Sequence, residues 1–418
     1  LLLNIIKKGG ILVLLAKKKD GSILSLLLYS RSEIEKPRHE EFFCPCCEGR
    51  VYLKIGTMKI PHFAHKSHTF CRADAEGESL EHLQGKKQLF EWLRQSGMDV
   101  QMEKYFPEFK QRADLYIVHN GQGYAIEFQC SVVSQQIIQK RTQHYLQHQI
   151  IPLWILNSKL VKKKKQNEYS LSSFQYFCSS GTILQPKLLT YSPTQKQFTL
   201  LQQLLPFSTR NTFAYPMIIS QERLTFVQLI QKSNIVSIDS MMWMKKKQSW
   251  RAHVLTHANF QDSFVRAMYE NKIDVVSFPM EIGLPVPYIH LYETNAVVWQ
   301  FWLYEKVLRH KRVDEVLTLQ ELKSAFIQCL KEKKIVLRLL PTLESINPFL
   351  PLQQYVNMLE RLGVLRHVGN QIYKVKRLLE NFNLHSPQRE RVFFEKVGNI
   401  YNQLMEIESV SDLVKKKV

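Results

Sequence analysis

Apolar positions recur with two different periods in the N-terminal part of the chain. Residues 1–40 hold two short β-like apolar runs, Ile11–Leu15 and Ile23–Tyr29, with polar residues between them. Over Ser79–Ser96 the apolar residues recur at helical spacing, and Gly97 provides a stop signal. The pattern therefore predicts a small N-terminal sheet that is followed by an amphipathic helix.

Two apolar, strand-like runs come next, and each of them carries one acidic residue. The first run contains Asp114, the second contains Glu127, and the link His119–Gly123 is typical of a hairpin turn. Antiparallel pairing would bring the two acids close enough to share one divalent cation. Because a carboxylate on an apolar strand is costly to bury without a partner, we expect such a cation there.

The pattern then predicts a second helix over Ser134–Gln149 and a buried strand over Ile150–Leu156. The order helix, strand, strand, helix, strand is typical of a small α/β nuclease core. The four consecutive lysines Lys162–Lys165 predict an exposed linker where this core ends.

The C-terminal part of the chain is strongly helical in its pattern. Over Leu350–Lys376 a helix that stops at Gly363 precedes a hairpin with a turn at Gly369, which is the local outline of a winged helix. The alternative is an ordinary helical domain whose last helix ends in a hairpin. We expect an N-terminal β-rich module, an α/β core, an intermediate region without an assigned fold and a helical C-terminal domain, over residues 1–75, 76–165, 166–285 and 286–418.

Composition narrows the class of partner. The 418 residues carry a net charge of +20, which favours a polyanion, with nucleic acid ahead of an anionic membrane. A lysine-rich, solvated surface is the alternative. No apolar run approaches the ~20 residues needed to cross a bilayer. The odd number of cysteines, 7, argues against a disulfide framework and favours a reducing cytoplasm.

Four cysteine and histidine residues have the spacing of a zinc site. Cys44 and Cys47 form a C-x2-C knuckle, and His62 and His65 form an H-x2-H pair after a gap of 14 residues. Tetrahedral Zn²⁺ takes such ligands, and a site with four protein ligands is structural. Cys71 is a possible substitute for either histidine. The alternative is a reduced cysteine cluster without metal.

The acids on the strand pair fit a known nuclease arrangement. Asp114, Glu127 and Gln129 give the pattern D-x(12)-E-x-Q of the PD-(D/E)xK superfamily, with glutamine where lysine is usual. Hard oxygen ligands of this kind suit Mg²⁺ or Mn²⁺, which activate water for phosphodiester hydrolysis. Gln129 can orient that water, but it carries no charge and is no base.

Further polar residues lie on the two predicted helices. Glu78, His82 and Lys86 share one face of the first helix, and either Glu78 or Glu81 would complete the metal site. A solvated, capping-type first turn is the alternative. The positive charge that lysine usually supplies at position 129 would come from Lys86, Lys140 or Arg141. Lys140 and Arg141 also suit contacts with the DNA backbone.

Several ordered motifs over roughly residues 1–160 resemble the competence protein CoiA family. They are Cys44-Pro-x-Cys47, His62-Phe-Ala-His65-Lys66, Glu78-Ser-x-Glu-His82-Leu-x-Gly-Lys86, Arg112-x-Asp114, Ile126-Glu-Phe-Gln-x-Ser131, Arg141-Thr-x-x-Tyr145 and Leu153-Trp-Ile-Leu156. The resemblance implies a restriction-endonuclease-like core with Asp114, Glu127 and Gln129 in its active site, and Glu78 or His82 beside them.

The resemblance also implies a role in natural transformation, because the family is linked to processing or recombining internalised single-stranded DNA. We expect a metal-dependent deoxyribonuclease that works with a RecA-type recombinase on single-stranded or branched DNA. The first alternative is an inactive DNA-binding or recombinase-accessory protein that keeps the nuclease fold as a platform. The second is a restriction nuclease of the phage or mobile-element type.

Overall fold

The N-terminal part of the chain forms a small antiparallel sheet, as predicted. The computed structural model describes residues 12–13, 15–26, 31–35, 40–45, 47–56, 61–65, 79–231, 234–275, 278–341, 346–379 and 387–415. Its first elements are β1 Leu12–Val13, β2 Leu15–Lys18, β3 Ile23–Ser25, α1 Arg31–Glu35, β4 Phe42–Phe43, β5 Arg50–Lys54 and β6 His62–His65. The strand order is β1-β6-β5-β4-β2-β3, and the core contains Phe42, Val51 and Phe63.

A mixed sheet with helices on its faces forms the centre of the molecule. The elements are α2 Leu80–Gln95, β7 Val100–Phe106, β8 Gln111–His119, β9 Gln122–Gln129, α3 Gln135–Gln147, β10 Ile150–Asn157, β11 Lys162–Lys165, β12 Glu168–Ser170, α4 Ser173–Phe177, β13 Ser180–Gly181, β14 Pro186–Ser192, β15 Gln197–Pro206, β16 Asn211–Ser220 and α5 Phe226–Ile230. The strand order is β11-β12-β16-β15-β14-β10-β9-β8-β7, with β9, β10 and β14 parallel to one another and β13 paired with β14.

Local sequence signals set the helices of this centre. The Ser79 and Ser134 side chains accept hydrogen bonds from the first turns of α2 and α3, so both predicted helices and the hairpin between them are confirmed. The linker prediction is wrong, because Lys162–Lys165 is the edge strand β11. The sheet continues beyond residue 165 through β12, β14, β15 and β16, and β7 has no counterpart in the predicted order.

The C-terminal region is mainly helical. Its elements are α6 Ser240–Thr256, α7 Ser263–Glu270, α8 Ala296–Lys306, β17 Val316–Thr318, α9 Leu319–Lys331, α10 Leu350–Arg361, β18 Leu365–Gly369, β19 Ile372–Val375 and α11 Pro387–Lys415. The predicted helix and hairpin are confirmed as α10, β18 and β19, and β17 pairs with β19. Whether these elements act as a winged helix stays a prediction. Within the described ranges, no helix is both long and apolar enough to cross a membrane.

One large hydrophobic core joins the central sheet to the C-terminal helices. Trp154 and Leu156 of β10 belong to the same buried cluster as Trp243 of α6, Trp299 of α8 and Phe394 of α11. The opposite side of the sheet packs against α2 in a second cluster. The C-terminal helices therefore cover one side of the sheet and leave α2 beside the acidic strand pair.

Candidate active site

The β8–β9 hairpin brings Asp114 and Glu127 to the same level of the sheet. Its ladder runs from His119 opposite Gln122 to Leu115 opposite Ile126. The acids occupy the next position, with Asp114 just before Leu115 and Glu127 just after Ile126. The Phe128 backbone N–H donates to Asp114 Oδ2 over 2.9 Å. Where the regular ladder ends, the Asp114 carboxylate therefore accepts the hydrogen bond from the Phe128 backbone N–H.

Helix α2 holds two basic side chains against Asp114. His82 Nε2 lies 3.1 Å from Asp114 Oδ2, and Lys86 Nζ lies 3.4 Å from Asp114 Oδ1. Burial alone would raise the pKa of Asp114, but the charges of Lys86 and His82 outweigh it and lower that pKa. Asp114 is therefore kept ionised, as a metal ligand must be.

Gly85 allows this close approach of α2. A Cβ atom on Gly85 would lie 2.1 Å from the Phe128 ring, which is far inside van der Waals contact. Because only glycine fits there, the helix packs directly onto β9, with His82 and Lys86 flanking the contact point on the side of Asp114.

Lys86 is also fixed from β7, by a residue that the sequence did not predict. Its fully buried Nζ lies 3.1 Å from Glu103 Oε1, and Arg112 Nη1 lies 3.3 Å from Glu103 Oε2. Glu103 has a left-handed backbone (φ 49°) between the paired residues Met102 and Lys104. Nothing in the sequence marks such a backbone or singles out this acid, which is followed directly by Lys104 in a strand of mixed polarity.

Helix α3 holds Glu127 in a similar way. Arg141 Nη2 and the Tyr145 hydroxyl both donate to Glu127 Oε1, and Arg141 Nη2 also donates to the Arg112 carbonyl over 2.8 Å. Burial raises the pKa of Glu127, the Arg141 charge opposes this rise, and the Asp114 charge adds to it. The other carboxylate oxygen, Oε2, has no hydrogen-bond partner among the described residues.

The remaining predicted residues have other surroundings. The Gln129 amide donates to the Ser131 carbonyl over 2.9 Å, and Lys140 is exposed. Glu81 forms an ion pair with Lys159 (2.8 Å), which lowers the Glu81 pKa. Glu78 lies outside the described residues. The structure therefore groups five of the predicted residues: His82, Lys86, Asp114, Glu127 and Arg141. It adds Glu103, Arg112 and Tyr145 to them.

The N-terminal module holds a second candidate metal site. Ligand atoms of Cys44, Cys47 and His65 all lie within 4.8 Å of one another, and Cys47 Sγ is 3.3 Å from His65 Nε2. His62 is not in this group. Successive side chains of a strand point to opposite faces, so His62 and His65, three residues apart on β6, point away from each other. Cys71 lies outside the described residues.

Comparison with known proteins agrees with this organisation. Three domain models of one family match consecutive parts of the chain. They are competence protein CoiA, N-terminal domain, over residues 26–74; competence protein CoiA, nuclease-like domain, over residues 78–234; and competence protein CoiA, C-terminal domain, over residues 238–387. The chain belongs to the CoiA family.

A curated relative supports the same assignment. The competence protein CoiA of Bacillus subtilis (strain 168) is 29% identical over 353 residues, which cover 83% of this chain and 92% of the relative. No solved structure matches the chain. The nuclease-like match ends at residue 234, after β16 and α5, so it includes the whole central sheet as well as the acid pair.

Proposed function

We propose that this CoiA-family protein is a metal-dependent DNA phosphodiesterase that acts on internalised DNA, and that Asp114 and Glu127 hold its metal. The observation that carries the proposal is the acid pair at the end of the β8–β9 ladder, with Lys86 against Asp114. Lysine is absent at position 129, and Lys86 supplies the missing charge from α2. This arrangement supports a working variant of the nuclease site.

The donor set fits a hard cation. Both ligands are carboxylates, Asp114 is kept ionised, and Glu127 Oε2 has no partner in the described part of the chain. Bound Mg²⁺ or Mn²⁺ would polarise a phosphoryl oxygen and lower the pKa of a water molecule. Lys86 and Arg141 would offset the negative charge that develops on the phosphate.

A non-catalytic platform is the second candidate function, and one observation favours it. Among the described residues, three carboxylates lie against three permanent cations, so these charges balance without a metal: Glu103, Asp114 and Glu127 against Lys86, Arg112 and Arg141. In this function the cluster would hold the sheet together, and DNA would be bound and passed to a recombinase uncut.

Cleavage of labelled single-stranded, duplex and branched DNA with Mg²⁺ or Mn²⁺ separates the two functions. We expect cutting by the wild type and a loss on the order of 10³-fold in Asp114→Asn and Glu127→Gln. Glu395→Gln makes the same chemical change on the exposed surface of α11 and should leave cutting unchanged. DNA binding without cleavage by the wild type would favour the platform.

A further inference from the structure

We propose that the edge strand β11 is a phosphate-binding track that guides a DNA strand to the candidate active site. We call Lys162–Lys165 the lysine edge. This inference rests on the proposed function in one respect, that the ligand is DNA, but it does not require that the DNA be cut.

The lysine edge concentrates charge on a free border of the sheet. All four side chains are exposed, and β11 pairs with β12 at the end of the strand order. Single lysines on edge strands prevent pairing with other chains. Four in succession repel one another, and an anion that binds along the strand removes this repulsion.

Acidic neighbours do not neutralise this edge within the described residues. Glu168 lies opposite Lys165 on β12, but its carboxylate is nearly buried and is bound by Lys246 Nζ at 2.8 Å and by Asn211. The exposed Arg210 adds positive charge at the far end of β12, where the Leu171 N–H donates to the Arg210 carbonyl.

Chain connectivity limits how far the lysine edge can lie from the acid pair, although β11 and β9 are six steps apart in the strand order. Five peptide steps join Asn157, the last residue of β10, to Lys162, so the two are at most ~18 Å apart. At this end of β10, Leu156 lies opposite Gln129, two residues after Glu127. A DNA strand bound along the edge would therefore pass the connection between β10 and β11 and the end of β10 before it reaches the acids.

Lys159 lies between the two places, where Glu81 offsets its charge. It lies in the short connection between β10 and β11, its side chain is 67% exposed, and its Nζ is 2.8 Å from Glu81 Oε1 on α2. Residues two apart on a strand share a face and are separated by ~6.7 Å, which is similar to the spacing of phosphates along an extended single strand. Each face of β11 therefore offers two ammonium groups, and the ladder is irregular between Lys163 and Lys165. Ammonium groups of this kind recognise the backbone without regard to sequence.

The test is binding of a fluorescent single-stranded oligonucleotide to the zinc-loaded full chain without added Mg²⁺ or Mn²⁺, followed by anisotropy at several salt concentrations. One variant changes all four residues of the lysine edge to Gln, and another changes them to Arg. The control changes four exposed lysines on or beside the C-terminal helices to Gln and removes the same net charge: Lys272, Lys331, Lys333 and Lys396. Thermal melting of each variant reports on folding.

We expect the Gln variant of the edge to lose at least tenfold in affinity at low salt. Its slope of log affinity against log salt should fall by about 0.7 for each phosphate that the edge no longer neutralises. The Arg variant and the control should bind as the wild type does. If the edge variant binds like the control, or if the wild type does not bind the oligonucleotide, the track does not exist.

Two further outcomes separate this inference from the proposed function. An edge variant that keeps the wild type's DNA affinity but no longer binds a polyglutamate peptide would assign the edge to an acidic protein and overturn the track. A wild type that binds DNA through the lysine edge, yet never cleaves it with Mg²⁺ or Mn²⁺, would support the track while the phosphodiesterase proposal fails.

Discussion

The single side chain of Lys86 links two carboxylates, Glu103 on β7 and Asp114 on β8. Its side chain is fully buried, so removing its charge leaves Glu103 and Asp114 close together without a shared cation. Lys86→Met should therefore destabilise the fold by about 3–5 kcal/mol. It should also lower DNA cleavage by about 10²–10³-fold.

A double variant separates these two effects. Lys86→Met with Glu103→Gln removes one positive and one negative charge, so it should recover much of the unfolding free energy in urea titrations. Cleavage should stay low in both variants. Wild-type cleavage by the folded double variant would show that Lys86 has only a structural role.

The two histidines of β6 provide a matched pair for the N-terminal metal site. His65 lies with Cys44 and Cys47, whereas His62 is not in that group. We propose that the site binds structural zinc, so His65→Ala should lower the zinc content of the purified protein and His62→Ala should not. Atomic absorption measures both, and equal zinc loss in the two variants would contradict this assignment.

Among the contacts between secondary-structure elements, that of α2 with β9 positions His82 and Lys86 beside Asp114. A Cβ on Gly85 meets the Phe128 ring at 2.1 Å, so Gly85→Ala must push the helix from the sheet. We expect a loss of about 1–3 kcal/mol in unfolding free energy. Cleavage should fall as well, because His82 and Lys86 move with the helix. Gly56→Ala, where a Cβ meets no described residue within 4 Å, is the control.

The sequence predicts those elements whose signals are local. Ser79 and the apolar stripe mark α2, and the link around Gly121 marks the hairpin that carries the acid pair. It does not predict β11, because four lysines are poor strand formers and pairing with β12 decides their conformation. The sequence also does not show that His62 and His65 lie on one strand, where residues three apart point to opposite faces.

Long-range contacts explain why the candidate site is only partly predictable. The sequence does not show which of three basic residues supplies the positive charge beside Asp114. Lys86 does so in the structure because of the way α2 packs across β8. Glu103 depends on a left-handed backbone in a strand, which no local pattern encodes. Tyr145 lies one turn after Arg141, so the helical period would place both near Glu127 once α3 is oriented.

The stability of the whole molecule should depend on pH, because the core that joins the sheet to the C-terminal helices buries a lysine. On α6, Lys247 is buried, and burial together with the Arg251 charge lowers the pKa of Lys247 to about 7, although Glu390 and Glu281 oppose this. Above pH 7 the unfolded chain therefore binds a proton that the folded chain does not. The unfolding free energy should rise with pH by up to about 1.4 kcal/mol per unit until the ordinary lysine pKa is reached.

Lys247→Met tests this pH dependence. Urea titrations at pH 7 and pH 9 should show a smaller rise of unfolding free energy in the variant than in the wild type. Burial also lowers the pKa of Lys187, to about 8, but Lys187 is present in both proteins, so the difference isolates Lys247. Equal rises in the two proteins would mean that Lys247 stays protonated in the folded state.

Mn²⁺ binding shows directly, without reliance on activity, whether Asp114 and Glu127 together hold a divalent cation. Electron paramagnetic resonance counts the Mn²⁺ bound to the zinc-loaded protein, for the wild type and for the Asp114→Asn, Glu127→Gln double variant. We expect the wild type to bind one Mn²⁺ per chain and the double variant to bind none. Equal binding by both proteins, or none by a folded wild type, would contradict this expectation.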